Sequence, residues 1–462
     1  MLFLMLLVFS RIVEVVMATT GLRIPMLMSG VAGILVLAGV FSGRLLKLPI
    51  RSSLGMFLIF TAWMFVCLPA SSWRGGSVEF LRSNWIPTLL IIAGVAGAMV
   101  TRRDYERVMV VIGLSALIIG GLSLKFGQVN ASDSRMVIGL GGTLANGNEL
   151  ANLICLGLPF LLFPLSHQGS KGYLRVMMIP IVGVLILLAL RTGSRAALLT
   201  ILVIFTGVFL LANASKRLTM IIVVMPLALA VAILLPGEML GRLKTLFTSD
   251  AEAPLEAVAS TQGRTQKLME SIALTLSHPV LGVGPGVHQS AMVRDAQEAG
   301  MRADWMVSHN SITQVSSETG LVGLALYVMA AYVPAWRARR AYRRSRRFQQ
   351  ELAKDRTMVA IFALALLGLI VNGLFSSSAY LPFVCTMAIL TDGISRLLTQ
   401  SCQRLELMQA SATAPLCAAG WAPAPSLTPF GAAVTAGRSS AMQQPPPPVL
   451  HTPGELRRNR RF

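Results

Sequence analysis

Two arginines around a short polar turn form the segment with the most specific chemistry. Arg191 and Arg195 flank Thr192, Gly193 and Ser194, with a long apolar run on each side. The planar fork of an arginine matches a phosphate group, and the amino end of a helix adds N–H donors. We therefore predict that Arg191 and Arg195 bind a phosphate group and that Ser194 caps the following helix. A positively charged topological anchor is the alternative.

A glycine-rich segment with further polar candidates precedes another apolar run. Residues 135–152 read RMVIGLGGTLANGNELAN. Arg135, Asn146 and Asn148 are candidates for substrate binding, because polar groups at membrane depth are costly and mark functional sites. In the structural alternative, the glycines form a re-entrant turn and Asn148 caps the helix. Both interpretations can hold together.

A histidine and a glutamate are the candidates for acid–base chemistry. His309 and Asn310 stand at the start of an apolar run, and Glu318 lies about two turns into it. Histidine can act as a general base near neutral pH, whereas a glutamate within a span needs a partner or an aqueous cavity. We predict that His309 is the base, with Glu318 or Asn310 orienting it. A hydrogen-bonded structural histidine is the alternative.

The segment before His309 combines an amphipathic pattern with a glycine pattern. Residues 261–277 predict a helix that Arg264 opens, with Leu268, Ile272 and Leu276 on one face, against the membrane surface or the helix bundle. HPVLGVGPG follows at 278–286. These glycines follow no strand, so a structural hairpin is favoured over a phosphate cradle.

Composition sets the class of protein that must position these residues. Of 462 residues, 54% are hydrophobic and 13% are charged, against about 25% charged in soluble domains. This excludes a soluble enzyme, a disordered scaffold and a disulfide-stapled module. The five cysteines lack metal-ligand spacings, so we predict no metal site and no cofactor.

Apolar runs predict an all-α polytopic membrane protein with about twelve transmembrane helices. The first run is the weakest, because Arg11 and Glu14 interrupt it, and it is a poor signal peptide. The predicted spans are 2–18, 24–42, 53–70, 84–100, 107–124, 149–166, 174–190, 196–212, 218–236, 311–334, 357–375 and 381–399.

Charges in the connectors predict the orientation. Residues 335–356 carry nine basic residues against two acidic ones, which places this connector in the cytoplasm. Residues 237–310 carry six basic and eight acidic residues, as expected of a large periplasmic loop. The net charge of +20 then reflects basic cytoplasmic connectors in a phospholipid membrane, with no nucleic acid as a partner. Trp73, Trp85 and Trp305 fall where aromatic residues of the outer interface are expected.

Two domains follow from this organisation. Residues 1–399 form the transmembrane domain, with the 237–310 loop inserted. Residues 400–462 are rich in Pro and Ala and end in a basic cluster. They cannot bury a core, so they predict a disordered cytoplasmic tail.

The ordered set of segments resembles the O-antigen ligase and O-antigen polymerase superfamily. The matching stretches are GGTLANGNELA (141–151), RTGSRAALL (191–199), QGR (262–264), HPVLGVGPG (278–286), HNSITQVSSETGLVGL (309–324) and NGLFSSSAY (372–380). The resemblance implies a GT-C-like membrane glycosyltransferase with a large helical periplasmic loop. Gly147 stands where many members have proline, which leaves the rigidity of that turn in question.

The resemblance also implies a reaction at the periplasmic face of the bacterial inner membrane. An undecaprenyl-diphosphate-linked glycan would be transferred to lipid A-core or another glycan acceptor. Arg191, Arg195 and Arg264 would stabilise the departing diphosphate without a metal, and His309 would deprotonate the acceptor in a single inverting displacement. The alternative is a polymerase that extends the lipid-linked glycan. A flippase or transporter is less favoured, because the sequence shows no internal repeat.

Overall fold

The computed structural model describes residues 1–21, 24–129, 135–166, 172–235, 237, 255–298, 300 and 308–413. The chain divides into two units, Met1–Gln409 and Ala410–Phe462. Most of the predicted tail lies outside the described residues. The contacts given below all belong to the first unit.

Within these ranges the chain is helical apart from one short pair of strands. The helices are α1 (Leu2–Ser10), α2 (Ile12–Thr20), α3 (Ile24–Phe41), α4 (Ser53–Cys67), α5 (Arg74–Phe80), α6 (Ile86–Ala98), α7 (Arg102–Phe126), α8 (Gly147–Ser166), α9 (Gly172–Arg191), α10 (Arg195–Leu211), α11 (Ala214–Leu234), α12 (Leu255–Ser277), α13 (His288–Glu298), α14 (Ser311–Ala331), α15 (Val333–Arg344), α16 (Ala353–Gly373) and α17 (Pro382–Thr413). Strand β1 (Gly127–Val129) pairs antiparallel with β2 (Met136–Ile138), and Gln128 lies opposite Val137. A 3-10 turn, Gly142–Ala145, precedes α8.

Six helical segments of the described chain are long and apolar enough to cross a membrane, and α1 with α2 adds a seventh if the pair is one span. The six are Ser53–Ala70, Arg74–Ala98, Arg102–Phe126, Ala214–Leu234, Ser311–Phe348 and Ala353–Gly373. Shorter apolar helices occupy Leu27–Phe41, Gly147–Leu162, Val176–Arg191 and Arg195–Leu211. The structure therefore confirms an all-helical polytopic membrane protein, whereas the count of twelve spans stays a prediction.

The first predicted span is not one continuous helix. Helices α1 and α2 meet at an angle of 78°, and Arg11 between them has a left-handed backbone with φ of 52°. The side chains of Arg11 and Glu14 bind the 3-10 turn before α8. The predicted span 2–18 is therefore a bent pair of helices, and Arg11 and Glu14 near the bend have polar partners inside the protein.

One end of the bundle joins the connectors that were predicted to be cytoplasmic. Arg102 at the start of α7 forms an ion pair of 2.6 Å with Asp355 at the start of α16. Lys354 forms another, of 2.7 Å, with Glu106. The basic connector 335–356 therefore contacts the connector 101–106.

A buried carboxylate completes this basic end. Asp392 in α17 accepts hydrogen bonds from Arg337 at 2.9 Å and from Arg396 at 2.8 Å. It also accepts the Ser53 N–H at 2.9 Å, which anchors the start of α4. Asp392 is 1% exposed, and its charge is balanced by two guanidinium groups.

The other end joins the connectors that were predicted to be periplasmic. The Ser72 N–H donates to the Val283 carbonyl at 2.8 Å, which links the connector 71–83 to the long loop. Ser311, the first residue of α14 after that loop, donates to the Ser376 carbonyl at 2.7 Å, which links the start of α14 to 376–380. The connectors thus segregate as predicted, and the side of the membrane that each end faces stays a prediction.

Trp85 is not an interfacial residue. It is fully buried, and its indole N–H donates to the Thr61 hydroxyl at 2.9 Å. Phe60 packs edge-on against it, with 5.5 Å between ring centroids. The expected outer position is wrong, because the indole N–H has a buried partner on α4. Trp73 is exposed as predicted, and Trp305 lies outside the described residues.

The final helix is longer than the predicted span. Helix α17 continues to Thr413, so residues 400–413 are helical where a disordered tail was expected. Leu398 and Cys402 are buried and Leu405 is partly buried against the core. These positions recur with helical spacing and carry the helix beyond the predicted membrane boundary.

The orientation is testable with two exposed glutamines, Gln297 in α13 and Gln349 after α15. In intact spheroplasts, Gln297→Cys should react with an impermeant maleimide and Gln349→Cys should react only after permeabilisation. The native cysteines Cys67, Cys155, Cys385 and Cys402 are buried, and the unsubstituted protein gives the background. The reverse labelling pattern would place the candidate site on the cytoplasmic side.

Candidate functional site

The two arginines of the α9–α10 turn stand where the sequence predicts. Arg191 ends α9 and Arg195 begins α10. Gly193 between them has a left-handed backbone with φ of 64°. Ser194 accepts the Ala197 N–H at 3.3 Å, which confirms it as the cap of α10. Both arginine side chains are half-buried beside the amino end of α10.

Arg135 ties this turn to the glycine-rich segment. Its Nε donates to the Thr192 carbonyl at 2.7 Å, and its Nη2 donates to Asn148 Oδ1 at 2.8 Å. One guanidinium therefore fixes the α9–α10 turn against the start of α8. A predicted substrate-binding residue is also a structural connection at the site.

The predicted helix cap before α8 is shifted by two residues. Helix α8 begins at Gly147, and Asn146 Oδ1 accepts the Asn148 N–H at 3.0 Å. The prediction that Asn148 caps the helix is wrong, because Asn146 performs that role. Asn148 is buried and its carbonyl oxygen accepts Arg135 instead. Substrate binding by these two residues stays a prediction.

Sequence analysis missed two charged residues at this turn, Arg11 and Glu14. Arg11 donates to the Thr143 hydroxyl at 2.5 Å, and Glu14 accepts the Leu144 N–H at 3.1 Å. The sequence marks these two residues only because charged side chains are energetically unfavourable within an apolar run. This unfavourable energy suggested a weak membrane span, although it can equally indicate that each charged group has a polar partner.

His309 lies in a strained backbone conformation held by its neighbours. Its φ is 54°, in the left-handed region. Ser308 hydrogen-bonds Ser377 at 3.1 Å, and Asn310 Nδ2 donates to the Leu374 carbonyl at 3.1 Å. Because strain of this kind persists only where the surroundings impose it, the 374–378 segment positions His309.

Asn310 caps α14. Its Oδ1 accepts the N–H groups of Ile312 at 2.8 Å and Thr313 at 3.2 Å. With its Nδ2 on the Leu374 carbonyl, the Asn310 side chain joins α14 to the end of α16. These contacts give the residue a structural role, and its predicted roles in substrate binding and in orienting His309 stay predictions.

Two arginines from different segments act on the imidazole of His309. Burial lowers the pKa of His309, and the positive charges of Arg264 and Arg135 lower it further. Because Arg135 also binds the Thr192 carbonyl, the structure brings His309, Arg264 and Arg135 to the same end as the arginine turn. A neutral imidazole beside several cations can accept a proton and suits a site for an anionic substrate.

Glu318 lies about two turns into α14, as predicted, whereas His309 and Asn310 precede that helix. It is buried, and its carboxylate accepts the Gly286 N–H at 3.0 Å, close to the start of α13. The Tyr380 hydroxyl faces the same carboxylate. The hydrogen bond from Gly286 to Glu318 therefore links α14 to the loop, and the catalytic role of Glu318 stays a prediction.

Helix α14 is broken where the loop enters it. Gly320 has a φ of 71°, and a Cβ there would lie 2.0 Å from the Val280 carbonyl oxygen. The carbonyls of Ser317 and Glu318 accept N–H groups from the loop at 2.8 and 3.0 Å. The glycine-rich segment 278–286 thus packs against an opened helix and has a hydrogen bond of its own, from the Gly282 N–H to the His278 carbonyl at 3.1 Å. These contacts give the segment a structural role, and its preference over a phosphate cradle stays a prediction.

Helix α12 turns Ile272 and Leu276 of its predicted apolar face away from the bundle, so contact of this face with the membrane surface stays a prediction. It begins at Leu255, so Arg264 lies within it rather than at its start. Ile272 and Leu276 are exposed, and Ser271 and Thr275 are buried. Thr275 hydrogen-bonds Ser316 of α14 at 2.9 Å. The small hydroxyl face packs inward because α14 offers hydroxyl partners, which the apolar pattern alone could not indicate.

His288 is a second residue that sequence analysis missed. It is buried, with Nδ1 2.9 Å from the Ser317 hydroxyl and Nε2 3.4 Å from the Ser271 hydroxyl. Burial, followed by the charge of Lys267, lowers its pKa to about 4. The imidazole is neutral at pH 7 and joins α12, α13 and α14.

The described residues contain no group of three or more His, Cys, Asp and Glu side chains that could hold a metal ion. A comparison with protein families finds that residues 180–328 match the family described as O-antigen ligase. This range begins in α9, includes the arginine turn, Arg264 and His309, and ends in α14. Arg135, Asn146 and Asn148 precede it. No curated protein matches the chain.

The low pKa of His288 makes stability depend on pH. An unfolded histidine binds a proton below pH 6.5, whereas the folded one does so only near pH 4. The contribution is therefore complete above pH 6.5 and is lost as the pH falls towards 4, by up to about 3 kcal/mol. The melting temperature of the wild type should fall more steeply over this window than that of His288→Asn. Equal slopes would contradict the buried neutral imidazole.

Proposed function

Because the chain carries an O-antigen ligase family domain over residues 180–328, we propose that it is a membrane glycosyltransferase of the bacterial inner membrane. It is a GT-C-like protein of about twelve spans, and its reaction takes place at the periplasmic face. It transfers a glycan from undecaprenyl diphosphate to lipid A-core or a related glycan acceptor. The observation that carries the proposal is the gathering of Arg191, Arg195, Arg135 and Arg264 with His309 at one end of a membrane bundle.

The positive charges of the arginines match the negative charge of the diphosphate in the glycan donor. A departing lipid diphosphate carries negative charge that must be stabilised as the bond to the anomeric carbon breaks. Arg191 and Arg195 lie at the amino end of α10, where backbone N–H groups and the helix dipole also favour an anion. Arg264 adds a cation from α12. In this proposal the arginines supply the charge stabilisation, and no metal is required.

His309 suits the acceptor. An acceptor hydroxyl loses its proton as it attacks the anomeric carbon, and the neutral imidazole of His309 receives it. The oxygen forms the new glycosidic bond, the old bond to the diphosphate breaks, and the bond electrons leave with the diphosphate. A single displacement of this kind inverts the anomeric configuration.

The decisive assay uses the purified full-length protein with a lipid-linked glycan donor and lipid A-core acceptor. Glycosylated lipid A-core and undecaprenyl diphosphate should form in equal amounts without ATP. A lengthened glycan on the lipid carrier would instead identify a polymerase. Movement of the donor across the bilayer without release of undecaprenyl diphosphate would identify a transporter and overturn the proposal.

His309→Ala should lower kcat by about 10²–10⁴-fold, the usual contribution of a general base. Because burial and the neighbouring arginines lower the pKa of His309, the acid limb of the wild type should lie below pH 6.5. His288→Asn, which changes a histidine bound in the loop network, is the matched control and should keep the acid limb. Unchanged turnover and the same acid limb in His309→Ala would remove His309 from the chemistry.

A further inference from the structure

The break between α1 and α2 forms a polar contact with the turn that leads into α8. The guanidinium of Arg11 pairs with the carboxylate of Glu14 three residues later. Arg11 Nη2 also donates to the Thr143 hydroxyl at 2.5 Å, and Glu14 Oε2 accepts the Leu144 N–H at 3.1 Å. Each member of the ion pair therefore holds one residue of the 3-10 turn Gly142–Ala145.

The 3-10 turn packs closely against this ion pair. The side chains of Arg11 and Glu14 are only 22% and 15% exposed. Gly142 has a φ of 67°, and a Cβ there would lie 2.8 Å from Glu14 Oε2. Charged groups in an apolar segment are costly, and partners of opposite charge or polar partners reduce that cost. The carboxylate packs directly on the turn backbone, where a larger residue than glycine would collide.

A continuous series of hydrogen bonds leads from this contact to the arginine turn. The 3-10 turn ends at Asn146, whose Oδ1 accepts the Asn148 N–H at 3.0 Å. Asn148 Oδ1 accepts Arg135, and Arg135 donates to the Thr192 carbonyl. A displacement of the 3-10 turn would therefore move Arg135 relative to Arg191 and Arg195.

We propose that Arg11 and Glu14 are positioning residues of the donor site, which act by holding the 142–148 turn beneath Arg135. This role rests on the proposed function, since it assumes that Arg135 and the α9–α10 arginines face the lipid diphosphate. Arg11 is not itself a diphosphate ligand, because Glu14 balances its charge and Thr143 occupies its Nη2. Both residues lie outside the family domain of residues 180–328.

Hydrogen exchange of the purified full-length protein tests the contact without relying on activity. Glu14→Ala removes the acceptor of the Leu144 N–H, so peptides covering 141–148 should exchange about five- to tenfold faster. Glu14→Gln keeps a carbonyl oxygen and should retain part of the protection. Glu79→Ala is the matched control, because Glu79 forms an exposed ion pair with Arg82 at the same spacing; it should leave this exchange unchanged.

Kinetics then test the positioning role. Glu14→Ala should raise the KM for the lipid-linked donor about fivefold or more and leave the KM for the acceptor unchanged. The exchanged variant Arg11→Glu/Glu14→Arg keeps an ion pair, but a guanidinium cannot accept the Leu144 N–H. It should therefore behave like Glu14→Ala.

Three results would overturn the positioning role. These are unchanged exchange at 141–148 in Glu14→Ala, an unchanged donor KM, and restored kinetics in Arg11→Glu/Glu14→Arg. A wild-type protein without transfer activity would instead contradict the proposed function, and the exchange measurement would still decide whether Glu14 holds the turn.

Discussion

The guanidinium of Arg135 donates to two neutral oxygen atoms, the Thr192 carbonyl and the amide oxygen of Asn148. These two hydrogen bonds hold the guanidinium in place. The bonds join two turns, each at the start of an apolar helix, and so fix the distance between α8 and α10 at one end of the bundle. The positions of His309, whose backbone is left-handed, and of the arginines near it depend on this fixed arrangement of the two turns.

The acidic residues have different kinds of partner at the two ends of the bundle. At the basic end, Asp392 binds both Arg337 and Arg396, and Asp355 binds Arg102, so acids and arginines offset one another. At the other end, the carboxylate of buried Glu318 accepts a backbone N–H of the loop, and Glu14 pairs with Arg11. These two acids hold a loop and a turn in place.

Interactions between residues that are close in sequence could be predicted from the sequence. The arginine turn and its Ser194 cap were predicted because their interactions lie within a few residues of chain. The segregation of basic and acidic connectors was predicted because charge bias follows membrane orientation. His309 was identified because a histidine at the end of a polar run suits proton transfer, and the structure adds the arginines that keep it neutral.

Contacts between residues that are far apart in the sequence could not be predicted from it. Arg11 and Glu14 find partners about 130 residues later, so their charges suggested a weak span instead of a broken one. Helix α12 turns Ser271 and Thr275 inward because α14 and His288 offer hydrogen-bonding partners, and no apolar periodicity records that. Asn146 replaced Asn148 as the cap because Arg135 competes for the Asn148 oxygen.

The central claim, that the arginine end binds a lipid diphosphate, is tested most directly by the affinity of the purified protein for undecaprenyl diphosphate. We expect Arg195→Ala and Arg195→Lys to weaken binding by about tenfold or more each, because lysine keeps the charge but loses the planar fork. Arg339→Ala, which changes an exposed arginine of α15 at the basic end, should bind as the wild type does. Wild-type affinity in Arg195→Ala, or an equal loss in Arg339→Ala, would contradict the account.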